Sequence, residues 1–356
     1  MKFTVNKGKF ETVIASMQPF LEKKDSSAIT SHIYIEVINN NLIVKSTDYE
    51  MGLEAKIKDI SYFEDGKATV NGSNLLNIIR RLKNEDIIFE VDNNELIIKQ
   101  NRSLFKLFMF DANEYPSFPN LENLEILNID TMSLVNSIKN ITPVIDNNNP
   151  KVELNCALID IKDQKINFVS TDIRRLAISH LENISNKQTQ IIVPKKAIVE
   201  IQKLFFDQAV VKFDDVYLTL SNNNFTFFTK LINGKFPDYV KIIPSKFKHS
   251  ISVNKSDLIE SIKLITSLKP NIKITFSADN ILFELIDEDS EAKTQIEANL
   301  NLEESFYIAT NSKYLLDFLS CANSPTINIR FNKSNLPFYL EDENFITIIM
   351  PIILKK

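Results

Sequence analysis

Glycine is scarce in this chain, with five residues in 356. Neither G-x-x-x-x-G-K-[ST] nor G-x-G-x-x-G occurs. Phosphate and dinucleotide binding through glycine-rich loops is therefore excluded. Cysteine is scarcer still. Cys156 and Cys321 stand far apart in apolar surroundings and read as two free, buried thiols. The three histidines, His32, His180 and His249, fall in no metal-ligand spacing, and no metal or other cofactor is expected. Long apolar runs are missing too. The longest, 345–354, contains Pro351 and falls far short of the ~20 residues that span a bilayer. The opening Met1-Lys2-Phe3-Thr4-Val5-Asn6-Lys7 has no apolar core of a signal peptide. The expected setting is the cytoplasm, with no membrane partner.

What remains is an ordinary globular composition, 44% hydrophobic and 24% charged. The length fits two to three domains at ~150 residues each. The net charge of −5 argues against a simple basic nucleic-acid binder.

The chain is internally repetitive. Phe3-Thr4-Val5-Asn6, Leu127-Asn128-Ile129-Asp130 and Ile251-Ser252-Val253-Asn254 each end in a residue suited to cap a helix, and each precedes a helix-like run, at 7–20, 131–142 and 255–267. Successive openings lie 124 residues apart. A second triplet, Thr69-Val70-Asn71, Ile192-Val193-Pro194 and Ala309-Thr310-Asn311, leads into helical periodicity at 72–82, 195–205 and 312–322. Aligned on Leu75, Ile198 and Leu315, these runs keep apolar residues at i, i+3 and i+4, the spacing of one buried face. Tyr115-Pro116-Ser117-Phe118 and Phe236-Pro237-Asp238-Tyr239 close the first two units and read as linkers. Short strand-like runs bounded by Asn, Asp or Gly, such as 33–37, 42–45, 87–91, 96–99 and 104–110, lie between and after the helices. The expectation is an α+β protein of three like domains, 1–121, 122–246 and 247–356, each with two helices packed on antiparallel sheets.

Charge is distributed unevenly among these elements. The six helical runs carry eleven basic residues and five acidic ones, a net of +6 against −11 for the remainder. Apolar helix faces must pack on the sheets, so the Lys and Arg residues share the opposite faces. Such asymmetry suits a polyanionic partner contacted through phosphates, independently of sequence.

Six further segments, in order along the chain, carry a resemblance to a known family. They are Met1-Lys2-Phe3-Thr4-Val5, Ser46-Thr47-Asp48-Tyr49-Glu50-Met51, Ser170-Thr171-Asp172-Ile173-Arg174-Arg175-Leu176-Ala177, Ile192-Val193-Pro194-Lys195-Lys196, Lys230-Leu231-Ile232-Asn233-Gly234-Lys235-Phe236-Pro237-Asp238-Tyr239 and Ile349-Met350-Pro351-Ile352-Ile353-Leu354. Together they resemble the bacterial DNA sliding clamps, the beta subunits of DNA polymerase III, over the whole chain. The resemblance implies DNA-clamp domains closing head to tail into a dimeric ring, with helices lining the hole. It implies a non-catalytic processivity factor that encircles duplex DNA, slides without sequence specificity and tethers the replicative polymerase. The implied partners are duplex DNA, a second copy of the chain, the polymerase, the clamp loader and other proteins with clamp-binding peptides.

Carried over position by position, the resemblance places a peptide pocket at Leu154, Thr171, Ile173, Arg174, Arg175, Leu176, Pro237, Asn311, Tyr314, Ile349, Met350, Pro351, Ile352 and Leu354. It points to DNA contacts from Lys23, Lys24, Arg80, Arg81, Lys195, Lys196 and Lys203, with the loop 146–151 nearby. It sets Phe105 and Leu107 against Leu264 and Ile265 at the joint between copies. The chain departs from the family pattern where Ile173 and Arg174 stand for Gly and His and Ile353 for Arg, and Lys355 and Lys356 extend it. An enzyme would have to use Asp48 with Glu50, or Asp172 beside Arg174, as acid–base groups. Each Asp follows a Thr in a strand-to-strand segment and reads instead as a turn residue.

Overall fold

The computed structural model of the chain describes residues 1–183, 187–244, 246–267, 269–300 and 302–354; Lys355 and Lys356 lie outside the described residues. One order of elements recurs three times: a strand, a helix, four strands, a second helix, three strands. The helix pairs are α1 (Lys7–Met17) with α2 (Gly72–Arg81), α3 (Thr131–Ile141) with α4 (Lys195–Leu204), and α5 (Lys255–Ile265) with α6 (Ser312–Cys321). The first repeat carries one additional strand, Ser61–Glu64.

The helices start where the repeated Asn residues stand. Asn6 accepts from the backbone N–H groups of Gly8 (3.0 Å) and Lys9 (3.3 Å) ahead of α1, and Asn254 accepts from Ser256 (2.9 Å) and Asp257 (3.3 Å) ahead of α5. Asn71 and Asn311 do the same for α2 and α6. Each cap satisfies N–H groups that the first turn leaves without helical partners, an effect of about 1 kcal/mol.

Pairing also recurs. The strand that opens each repeat joins the strand after its second helix: Lys2–Asn6 with Asp86–Asp92, Glu125–Leu127 with Val210–Phe213, His249–Asn254 with Thr326–Phe331. The strand before the second helix joins the strand after the first: Gly66–Asn71 with His32–Ile38, Thr189–Pro194 with Cys156–Ile161, Phe306–Asn311 with Asn271–Phe276. Each repeat is thus two half-sheets, and four of the six half-sheets fuse in pairs. Met51–Ile57 pairs with Phe225–Lys230 to complete one eight-stranded sheet. Arg175–Glu182 pairs with Phe345–Ile349 to complete a second. A five-stranded sheet from the first repeat and a four-stranded sheet from the third keep open edges. The chain accordingly forms two compact units, residues 1–132 with 200–231 and residues 133–199 with 232–356.

In the first unit, Phe3, Phe10 and Phe89 are fully buried between α1 and the five-stranded sheet, with Phe3 stacked on Phe89 at 4.8 Å. Burial of each ring contributes roughly 2–3 kcal/mol. Where the half-sheets fuse, Gly52 lies opposite Phe228, and a Cβ on residue 52 would sit 2.5 Å from the Phe228 ring. In the second unit, Phe276, Phe306 and Phe331 stack in series, and Phe318 of α6 stacks on Phe345 at 4.8 Å.

The two segments read as linkers are anchored rather than free. Tyr115 is buried, and its hydroxyl donates to the His32 carbonyl at 3.2 Å. Phe236 and Tyr239 belong to the core of the second unit, with Leu158, Val169 and Tyr339. The Tyr239 hydroxyl donates to the buried Asp160 carboxylate at 2.6 Å, whose charge Lys162 also meets at 2.9 Å.

Two predictions follow from this packing. Gly52→Ala should lower the thermal unfolding midpoint by several degrees, corresponding to about 1–3 kcal/mol of overpacking against Phe228; differential scanning calorimetry measures it. The second concerns His32, which is buried, stacked on Phe110 at 4.2 Å, and held by burial at a pKa of about 4. The unfolded chain takes up this proton near pH 6.5, before the folded chain does. The stability from His32 is therefore complete above pH 6.5 and is lost as pH falls toward 4, with a slope of up to about 1.4 kcal/mol per pH unit. His32→Phe should flatten that part of the stability–pH curve in chemical denaturation.

Candidate partner-binding groove

The groove is built on the tight turn between strands Lys165–Thr171 and Arg175–Glu182. The Thr171 hydroxyl donates to the Arg175 carbonyl (2.7 Å) and accepts from the Ile173 N–H (3.2 Å). Asp172 accepts from the backbone N–H groups of Arg174 (3.0 Å) and Arg175 (2.9 Å). The first repeat uses the same device: Thr47 bonds the Met51 carbonyl, and Asp48 accepts from Glu50 and Met51. Asp48 and Asp172 are thus turn-formers. The turn forces residue 173 to φ +75°, a left-handed conformation that is costly for a β-branched side chain. Ile173 is also 67% exposed, so packing returns little of that cost.

The segment after strand Phe345–Ile349 runs alongside this turn. Met350 donates its N–H to the Arg174 carbonyl at 2.9 Å, and Ile352 donates to the Ala309 carbonyl at 2.7 Å. Residues 350–353 are therefore held as an extended wall, facing the start of α6. Between them lies a groove of about 550 Å³ lined by Arg174, Asn271, Asn311, Tyr314, Met350, Pro351, Ile352 and Ile353. That volume is within the range of small-ligand and peptide-anchor sites.

Beneath it sits Arg175, whose side chain is 3% exposed. Its Nε donates to Asp172 (2.9 Å), one Nη to Asp317 of α6 (2.8 Å) and the other to the Pro143 carbonyl (2.9 Å). Its guanidinium centre lies 4.4 Å from the centroid of the Tyr314 ring. One buried cation thus ties the turn, α6 and the aromatic wall together. Burial also pushes the Tyr314 phenol above its ordinary pKa.

Of the expected pocket residues, the structure brings Arg174, Asn311, Tyr314, Met350, Pro351 and Ile352 to the groove surface. Thr171 and Arg175 support it from below. Leu154, Leu176 and Ile349 are at most 4% exposed and serve as packing rather than lining. Ile173, Pro237 and Leu354 do not line it either. Ile353, noted in the sequence only as a departure from the family pattern, also lines it, and Asn271 was missed. Asn271 is brought in only by its pairing with Asn311, a long-range register with no local signature.

The other expected sites divide as well. Lys23, Lys24, Arg80, Arg81, Lys196 and Lys203 are exposed. Arg80 lies 4.0 Å from Glu11, and Lys203 pairs with Glu200 at 2.8 Å. Lys195 differs: it is half-buried, and its ammonium donates to the Ile145 carbonyl (2.6 Å) and to Asn147 (2.8 Å), fastening the loop 146–151. Phe105 and Leu107 are half-buried on Ser103–Phe108, the open edge of the five-stranded sheet, where Leu104 (55%) and Phe108 (80%) are more exposed. Leu264 is 66% exposed. Ile265, expected beside it at an interface, is 2% exposed because α5 turns it into its own core. Cys156 and Cys321 are buried free thiols, and burial pushes Cys156 up to about 11. Among the described residues no helix is long and apolar enough to cross a membrane.

A triple repeat of paired half-sheets, each with two helices, defines the DNA-clamp class of folds. Comparison with known proteins identifies the lineage. Family models for the DNA polymerase III beta subunit match over its N-terminal (1–119), central (128–238) and C-terminal (240–353) domains. A beta sliding clamp of Helicobacter pylori is 38% identical over 352 residues, covering 96% of this chain and 94% of the relative. The crystal structure of the Helicobacter pylori beta clamp bound to DNA ligase peptide superposes with a TM-score of 0.94 at 38% identity, covering 99% of this chain and all of that one. The Pseudomonas aeruginosa subunit, at 23% identity and a TM-score of 0.90, shares the fold. The chain belongs to the DNA polymerase III beta subunit family, the beta sliding clamps. Its activity is accordingly that of a non-catalytic, ring-forming processivity factor, which encircles duplex DNA and tethers the replicative polymerase and other clamp-binding proteins.

Replacing Ile173 by Gly should remove the left-handed strain. The expected net gain is about 0.5–1 kcal/mol after the entropic cost of glycine, read as a higher unfolding midpoint.

Proposed function

We propose that the groove beside Tyr314 is where this clamp holds the short apolar peptides of its replication partners, in the cytoplasm. The supporting observation is its construction: an extended wall, Met350–Pro351–Ile352–Ile353, stands open opposite a fixed aromatic ring. The peptide bound by the Helicobacter pylori relative supports the same use here. Domain boundaries near 121 and 246 follow the sequence repeat.

On this reading the exposed cations Lys23, Lys24, Arg80, Arg81, Lys196 and Lys203 meet phosphates, and Lys195 acts by holding its loop. Contacts to phosphate alone carry no sequence register, which is what sliding requires. The joint between copies uses the open strand Ser103–Phe108 and the exposed Leu264. An unpaired strand edge with exposed Leu104 and Phe108 is a ready template for a second chain.

One experiment separates these roles. Light scattering should give about twice 40.9 kDa for the wild-type chain. The chain should persist on closed circular DNA and slide off linear DNA. Phe108→Asp should give a monomer that is not retained on circles yet still binds partner peptide. The double variant Tyr314→Ala/Met350→Ala should remain a dimer and lose peptide binding at least tenfold. A wild-type monomer would overturn the ring assignment for this edge; an unchanged peptide affinity in the double variant would overturn the groove.

A further inference from the structure

The three repeats use one equivalent position in two ways. Gln100, Asn222 and Asp342 each stand just before the two-residue turn of a hairpin, opposite Ser103, Phe225 and Phe345. In the first repeat Gln100 is buried and reaches across to the segment after α2. Its amide accepts from the Lys83 N–H (2.9 Å) and donates to the carbonyls of Lys83 (2.9 Å) and Glu85 (3.3 Å). In the third, the buried Asp342 reaches the segment after α6 and accepts from the N–H groups of Asn323 (2.6 Å) and Ser324 (3.3 Å). Both of these hairpins turn through a left-handed residue, Asn101 at φ +53° and Glu343 at φ +50°, so the turn itself leaves the long side chain free. In the middle repeat neither Asn223 nor Asn224 is left-handed. Asn222 holds that turn with its own side chain, accepting from the N–H groups of Asn224 (3.0 Å) and Phe225 (2.8 Å). It therefore does not reach the segment after α4.

The unfilled space is a polar cavity of about 600 Å³, bounded by the start of α3, residues 207–210 and the hairpin turn. Thr131 fixes its walls: the hydroxyl accepts from the Ala209 N–H (2.8 Å) and donates to the Ala209 carbonyl (3.2 Å). Asp130 and Asp207 are its charged lining residues, and no cation lines it. Asp130 immediately precedes α3, where a carboxylate offsets the partial positive charge of the helix start. Asp207 is exposed and has no ion pair among the described residues. We infer that this cavity is a binding site for a guanidinium group. The first repeat shows the head group that such a space takes: a planar amide whose –NH2 donates to main-chain carbonyls. A guanidinium is planar, offers the same donors in a fork, and adds the charge that Asp207 meets. An ammonium matches the charge without the fork, and a neutral amide the fork without the charge. An anion is turned away by the two carboxylates.

The probe is N-acetyl-L-arginine amide, read by saturation-transfer difference NMR on the full chain. N-acetyl-L-citrulline amide, of the same shape but uncharged, and N-acetyl-L-lysine amide accompany it. The arginine probe should bind saturably and about threefold or more tightly than either control, with the preference shrinking at high salt. Asp207→Asn should bring arginine down to the citrulline level and leave citrulline unchanged. Asn222→Gln supplies the longer amide of the first repeat and should fill the cavity, abolishing arginine binding. Circular dichroism checks that both variants fold; Asp207 is exposed, so that variant keeps the test open should Asn222→Gln misfold. Ethylguanidinium and an acetyl-Gly-Arg-Gly amide separate the two sources of the group. Tighter binding of the tripeptide supports a protein's arginine side chain as the ligand, and equal or tighter binding of ethylguanidinium supports a free guanidine. Absence of saturable binding to wild type, or equal binding of arginine and citrulline, would overturn the inference. Arginine binding that survives in folded Asn222→Gln would place the site elsewhere and overturn it too.

Discussion

Two rows of antiparallel backbone hydrogen bonds, between Met51–Ile57 and Phe225–Lys230 and between Arg175–Glu182 and Phe345–Ile349, turn four half-sheets into two continuous ones. Main-chain N–H and C=O groups must be bonded wherever they are buried, so each row fixes register as well as attachment. At the first row, register sets Gly52 under the Phe228 ring, where a larger residue has no room. At the second, register carries Met350 to the carbonyl of Arg174, so the chain beyond that strand becomes a groove wall. The groove thus derives from sheet completion.

The adjacent arginines of the turn divide the work by depth. Arg175 is withdrawn from water, and an isolated buried charge there would be costly. Three hydrogen-bond acceptors and an aromatic face compensate it, which makes it a structural tie. Arg174, one residue earlier, keeps its solvent and remains available to a ligand. The hydrogen bonds of Thr171 and Asp172 set this difference by fixing where the strand begins.

Much of this was legible in the sequence. The six helices fall within a few residues of the runs marked by capping Asn and apolar periodicity, because capping and amphipathic spacing are local properties. Strands were legible through their turn residues, but the fusion of half-sheets was not, since it depends on which edges meet across long stretches of chain. The same limit governs the site. Met350 and Pro351 follow from the closing motif and Tyr314 from the position-by-position resemblance, whereas Asn271 enters only through pairing with Asn311. Burial was the other blind spot. Ile265 shares the buried stripe of α5 with Leu258 and Ile262, a periodicity that the expectation of an interface overrode, whereas nothing local distinguishes Lys195 from Lys196. Only the orientation of their helix sends Lys195 onto a loop and leaves Lys196 in water.

The separation of the groove's walls along the chain has a consequence for biosynthesis. Arg174 and Met350 are 176 positions apart. At translation rates of about 5–20 residues per second, roughly ten to thirty-five seconds pass between their appearances. During that interval Arg175–Glu182 is an edge without its neighbour, since Phe345–Ile349 has yet to be made. A nascent chain therefore has an open sheet edge to protect, and the groove stays without one wall until that edge is covered.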